Sequence, residues 1–121
     1  MEEKIQPIRI TDNTTGEVYE LDFSRESVLF TDRQFRNAGI KLDEIGDSVN
    51  EGIPLFWYCA FRAKHKNVSR AKADELREKL GGLTSKIMDR LVSLYTQATM
   101  ANNIVQDEED LSKNSRVTVE L

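Results

Sequence analysis

The chain has 121 residues, 31% of them charged and 39% hydrophobic, with a formal charge of −4 at neutral pH. That length suits one domain around one core, and the acidic balance disfavours nucleic-acid binding across the whole surface. A single cysteine builds no internal disulfide framework, so a reducing cytoplasm is the default expectation. No signal-peptide h-region follows Met1, and no apolar run approaches the ~20 residues that cross a bilayer.

In chain order, Ile5 to Ile10 alternates with Ile8 and Ile10 on one face, and Pro7 confines it to a sheet edge. Asp12-Asn13-Thr14-Thr15-Gly16 is a dense turn signal. Glu17 to Phe23 alternates again, and Tyr19, Leu21 and Phe23 mark its buried side. The two runs predict a β-hairpin. A lone hairpin is marginal in water, so it must pack on helices or gain another strand.

Ser24 is placed to cap a helix running to Ala38, with Glu26 in its first turn. Val28, Thr31, Phe35 and Ala38 form the inner stripe, and Gly39 followed by Ile40 reads as the stop. Lys41 to Gly52 is a connector in which Leu42 and Ile45 can tuck inward. Ser48 to Glu51 has capping-box spacing, yet Pro54 would then fall inside the helix. A start at Pro54 avoids that conflict.

The centre of the chain is Ile53 to Lys66, IPLFWYCAFRAKHK, read as a helix from Pro54 to Lys64 with a basic exit from Arg62. It carries the chain's one Trp, one Cys and one His. At about 100° per residue its apolar side chains make no single stripe, so the helix is buried or covered by a partner. Core packing and an open partner-facing side both fit these aromatics. The candidate partner-binding set is therefore Leu55, Phe56, Trp57, Tyr58, Phe61, Arg62, Lys64, Lys66 and Arg70.

Ser69 caps a third helix to about Leu80, with Ala73, Leu76 and Leu80 as a narrow stripe, and Gly81-Gly82 ends it. Thr84 caps a fourth helix to about Ala101, with Ile87, Met88, Leu91, Leu94, Tyr95 and Ala98 on one broad face. Residues 1–105 thus form one α+β domain, an N-terminal hairpin packed on about four helices. Residues 106–121 follow as an acidic, polar linker and an alternating run, Arg116 to Leu121, with Val117, Val119 and Leu121 on one face. That run is a candidate third strand for the hairpin of its own chain or of a neighbour.

Seven Lys or Arg stand against three Asp or Glu between Arg62 and Lys79, inside an otherwise acidic chain. A solvated helical surface is the plain reading; a patch that meets acid on a partner or another copy is the sharper one. No catalysis is indicated. Cys59 and His65 are six apart, about 240° around a helix, and Cys59 has no adjacent cation to activate it. One His and one Cys make no zinc set. The glycines form no phosphate cradle, and Asp107 to Asp110 lacks the spacing of a calcium loop. No cofactor or metal is expected.

The order of parts resembles a known family. A hairpin leads to a capped helix. A Leu-Phe-Trp-Tyr-x-Ala-Phe helix follows and runs into His-Lys-Asn-Val-Ser. A charged helix then ends in Gly-Gly, and an amphipathic helix precedes a polar tail. This is similar to the tail assembly chaperones of long-tailed bacteriophages and prophages of Gram-positive bacteria, most specifically from Leu55 to Ser69 and on to Gly82. The resemblance implies a non-enzymatic, mainly helical protein of the host cytoplasm. Such a protein coats the tape-measure protein, recruits tail-tube subunits, self-associates and is absent from the mature virion. It implies no catalytic residues and no residue-level binding signature. Related proteins commonly have a longer, frameshifted form. The alternatives from other classes are a structural tail-completion or head-tail connector protein and a small cytoplasmic adaptor.

Overall fold

A computed structural model describes residues 5–102. It contains an antiparallel hairpin of β1 (Ile8–Asp12) and β2 (Glu17–Leu21). Four helices follow: α1 (Arg25–Ala38), α2 (Gly52–Cys59), α3 (Arg70–Leu80) and α4 (Ser85–Asn102). A short 3-10 turn over Leu42–Asp47 fills the connector. The α+β expectation of a hairpin on four helices holds. The acidic linker and the alternating run 116–121 lie outside the described residues.

Hairpin register pairs Ile8 with Leu21 and Ile10 with Tyr19, so the alternation of both strands resolves onto one inner face. Tyr19, Leu21 and Phe23 are buried as expected. Strand pairing begins at Ile8, just past Pro7.

Ser24 closes a reciprocal cap on α1: its Oγ accepts from the Ser27 N–H, while the Ser27 Oγ accepts from the Ser24 N–H. Gly39 ends the helix at φ 73°, the left-handed conformation that spares a Cβ clash only in glycine. The inner stripe stops at Phe35, and Ala38 is exposed.

Two boundaries of the central helix differ from expectation. It begins at Gly52, with Pro54 at its third position. A proline there costs little, because first-turn N–H groups have no intrahelical acceptor. Ser48 anchors this start from the connector, its Oγ and its carbonyl both accepting from the Gly52 N–H. The helix also ends early, at Cys59, and residues 60–64 form a turn instead. That turn is held from outside: the Asp22 N–H donates to the Ala60 carbonyl at 3.0 Å, and the Glu20 N–H donates to His65 Nε2 at 3.0 Å. A continuing helix would carry these acceptors away from β2, so the hairpin edge selects the turn.

The core runs from the hairpin through α2 to α4. Trp57 is 0% exposed and is surrounded by Phe61 on its own segment and by α3, where its indole N–H donates to the Ala73 carbonyl at 2.7 Å. Phe56 stacks beside Phe23 and meets Phe35 and Tyr95 edge-on. The Tyr95 hydroxyl bonds to the Asp32 carboxylate and ties α4 to α1. Burial, followed by that carboxylate, raises the Tyr95 phenol well above its ordinary range.

Candidate partner-binding surface

The nine residues singled out by sequence divide sharply. Leu55, Phe56, Trp57 and Phe61 are buried, at 6% exposure or less, and offer a partner very little area. α1, α3, α4, the 3-10 turn and Phe23 just past β2 pack around the short α2, so most of its circumference is consumed inside the domain. Tyr58 and Arg62 are half-buried, while Lys64, Lys66 and Arg70 are exposed. Only these last five remain as surface candidates.

The structure joins Tyr58, Arg62 and Arg70 through a residue of α1 that the sequence reading did not include. Phe30 lies edge-on to Tyr58, with ring centroids 6.1 Å apart. The Arg62 guanidinium sits over the Phe30 ring at 4.4 Å, and the Arg70 guanidinium lies 5.9 Å from the centre of the Tyr58 ring. The result is an alternating row, Arg62–Phe30–Tyr58–Arg70, in which each cation faces an aromatic quadrupole. Phe30 stands off the inner stripe of α1, next to Leu29, which is 51% exposed. Two adjacent large apolar residues off the stripe were the signal available in the sequence.

A groove of about 290 Å³ lies beside this row, between the first half of α1 and the turn after α2. Leu29 and Phe30 give it an apolar wall; Arg33, Arg62 and Lys66 give it positive charge against the single acid Glu26. Such a lining suits an amphipathic segment with acidic flanks.

The rest of the basic segment is largely neutralised at home. Arg70 and Arg77 both meet Asp74, at 3.6 and 3.5 Å. Glu75 meets Lys72 and Lys79, at 3.4 and 3.2 Å, and these contacts lower its pKa, Lys79 contributing most. Lys79 reaches across to Asp12 at 3.0 Å, and Lys64 approaches Glu20 at 4.0 Å. Among the described residues Lys66 has no such partner. The broad positive patch expected from composition therefore contracts to the groove.

Cys59 and His65 are engaged separately. Cys59 is buried, and burial pushes its thiol up to about 12. His65 uses Nε2 as an acceptor from the Glu20 amide, which places its ring proton on Nδ1. Among the described residues, no group of His, Cys, Asp and Glu is arranged to hold a metal ion, and no helix is long and apolar enough to cross a membrane.

Over residues 1–121 the sequence matches a family described as a domain of unknown function, DUF5055. The chain belongs to that family. No curated protein and no solved structure matches it. The DUF5055 match takes in the hairpin, all four helices and the groove alike.

Proposed function

We propose that this DUF5055 protein is a non-enzymatic tail assembly chaperone that binds a tape-measure protein and recruits tail-tube subunits in the host cytoplasm, without entering the mature virion. The reading is carried by the resemblance of the block Leu55 to Gly82. In the structure this block is one physical unit, α2, its turn and α3, clasped by Trp57 and Ala73. The groove adds support. A long helical client presents apolar stripes flanked by charge, and a shallow wall of Leu29 and Phe30 ringed by Arg33, Arg62 and Lys66 suits such a stripe. Many weak, repeated contacts of this kind coat a client without fixing one sequence, and self-association would let neighbouring copies share its length.

The test is deletion of the gene from a phage or prophage that carries it, combined with mass spectrometry of wild-type virions. The expected result is tail-less particles on deletion, the chain absent from intact virions, and its co-purification from infected cells with the tape-measure product. Finding the chain at stoichiometric levels in purified virions would replace this reading with a structural connector. Normal tails after deletion would remove it altogether.

A further inference from the structure

The two edges of the hairpin are not equivalent. On the β2 side, the outward N–H groups of Glu20 and of Asp22, just past the strand, are taken by His65 Nε2 and the Ala60 carbonyl, which leaves Val18, next to the turn, as the one outward N–H of β2 without a backbone partner among the described residues. Register pairs Arg9 with Glu20 and Thr11 with Val18. Since Glu20 points away from β1, its partner Arg9 points away from β2, and Thr11 follows two residues on. The backbone N–H and C=O of Arg9 and Thr11 therefore face outward on β1, and neither has a backbone partner among the described residues. Pro7 occupies the same phase, so the one missing donor falls at the end of this edge.

A groove of about 290 Å³ lies beside the turn end of that edge, from Ile10 to Thr14. Its strand side is built from β1 and the hairpin turn, with no residue of β2, and its far side carries Leu76 and Leu80 of α3 together with Lys79, which bridges to Asp12 and Thr14. Leu80 is 46% exposed, and Ile8 and Ile10 are only half-buried although they face the core. The sheet thus stops one strand short of covering its own apolar face.

We propose that the outer edge of β1 is a strand-docking site filled in cis by the chain's own segment Arg116–Leu121. The alternation fits the edge: Val117, Val119 and Leu121 lie two residues apart, the spacing that sets them level with Ile8 and Ile10 above Leu76 and Leu80. Arg116, Thr118 and Glu120 then share the outer face with exposed Arg9 and Thr11, and Glu120 adds an acid for Arg9. The reach is sufficient. Arg90 donates to the Gln6 carbonyl, two residues before β1, and Asn102 lies about 18 Å further along α4. Residues 103–115 extend up to about 43 Å, enough to return to the edge. The site is independent of the groove assigned to a client.

The experiment is amide hydrogen exchange resolved by residue on the full chain and on a full-length variant carrying Val117→Asp and Val119→Asp. The amides of Arg9 and Thr11 should be protected in the parent chain and lose about tenfold or more of that protection in the variant. Glu20 and Asp22, on the opposite edge, should be unchanged. Equal loss at both edges, or no difference at Arg9 and Thr11, overturns the proposal. The parent measurement is repeated over a hundredfold dilution: constant protection supports docking in cis, and protection that fades on dilution overturns it in favour of a strand supplied by a second copy.

Discussion

The indole N–H of Trp57 donates to the main-chain carbonyl of Ala73, 2.7 Å away and sixteen residues on. This bond adds to the packing between the apolar α2 and the highly charged α3. It also satisfies the only polar atom of the largest buried side chain, which would otherwise be costly to enclose.

Replacing Trp57 separates these contributions. Trp57→Ala should cost about 3–5 kcal/mol through the cavity it leaves. Trp57→Phe keeps most of the volume and loses the donor, at about 2 kcal/mol. Denaturant unfolding of the three chains, followed by circular dichroism, checks the order. Equal stability of the Phe variant and the parent would show that the bond to Ala73 contributes nothing.

His65 holds the far edge of the hairpin through its Nε2 and packs edge-on to Tyr19, with centroids 5.3 Å apart. His65→Ala leaves the Glu20 amide without its acceptor and should destabilise by about 1–3 kcal/mol. His65→Gln, which presents an amide oxygen at a similar reach, should recover part of the loss. Faster exchange of the Glu20 amide in the Ala variant alone is the diagnostic; faster exchange of every amide alike would count against a local role.

The contact of Asp12 with Lys79 makes stability depend on acid. The Asp12 carboxylate is covered by its own turn rather than by depth. The Thr14 hydroxyl, followed by the Lys79 ammonium, holds its pKa well below the usual carboxylate range. A carboxyl depressed in the folded state adds stability that is complete above its unfolded pKa of about 4 and is lost as pH falls below it. Thermal melts of the parent should therefore fall between about pH 5 and pH 2, and Asp12→Asn should flatten that slope while melting lower at neutral pH. An unchanged slope in Asp12→Asn would assign the acid sensitivity to other carboxylates.

Cys59 should be inert to thiol reagents in the folded protein, because burial both blocks access and keeps the thiol protonated, with its pKa near 12. Titration with a chromogenic disulfide should find no reactive thiol under native conditions and one per chain in denaturant. Prompt native reaction would mean that the core around α2 opens readily.

The surface row makes a separate claim about binding. Arg62→Ala and Phe30→Ala should weaken client binding with small losses of stability, since both side chains remain partly exposed. Binding of a client segment, measured by calorimetry, should also weaken with salt, because Arg33, Arg62 and Lys66 act in part through charge. Affinity unchanged in both variants would move the client to another face.

Much of this architecture is legible from residues that are neighbours in the chain. Ser24, Gly39, Ser69 and Gly81 end their helices in the expected ways, because caps act over three or four residues. Alternation at Tyr19, Leu21 and Phe23 named the buried face of β2 for the same local reason. The length of the central helix was not legible. Local propensity would carry it on to Lys64, and the amides of Glu20 in β2 and Asp22 just past it, more than thirty residues earlier, tie Ala60 and His65 to the hairpin and favour the turn. The division of its aromatics between core and surface was also decided in three dimensions. A helix that is apolar all round records how much it buries, not which neighbours arrive. Phe56 and Trp57 were enclosed by Phe23, α1, α3 and α4, while Tyr58 was left beside Phe30. The row that joins Phe30 to Arg62 spans thirty-two positions of sequence, and no periodicity within either helix encodes a contact made only when α1 packs against α2.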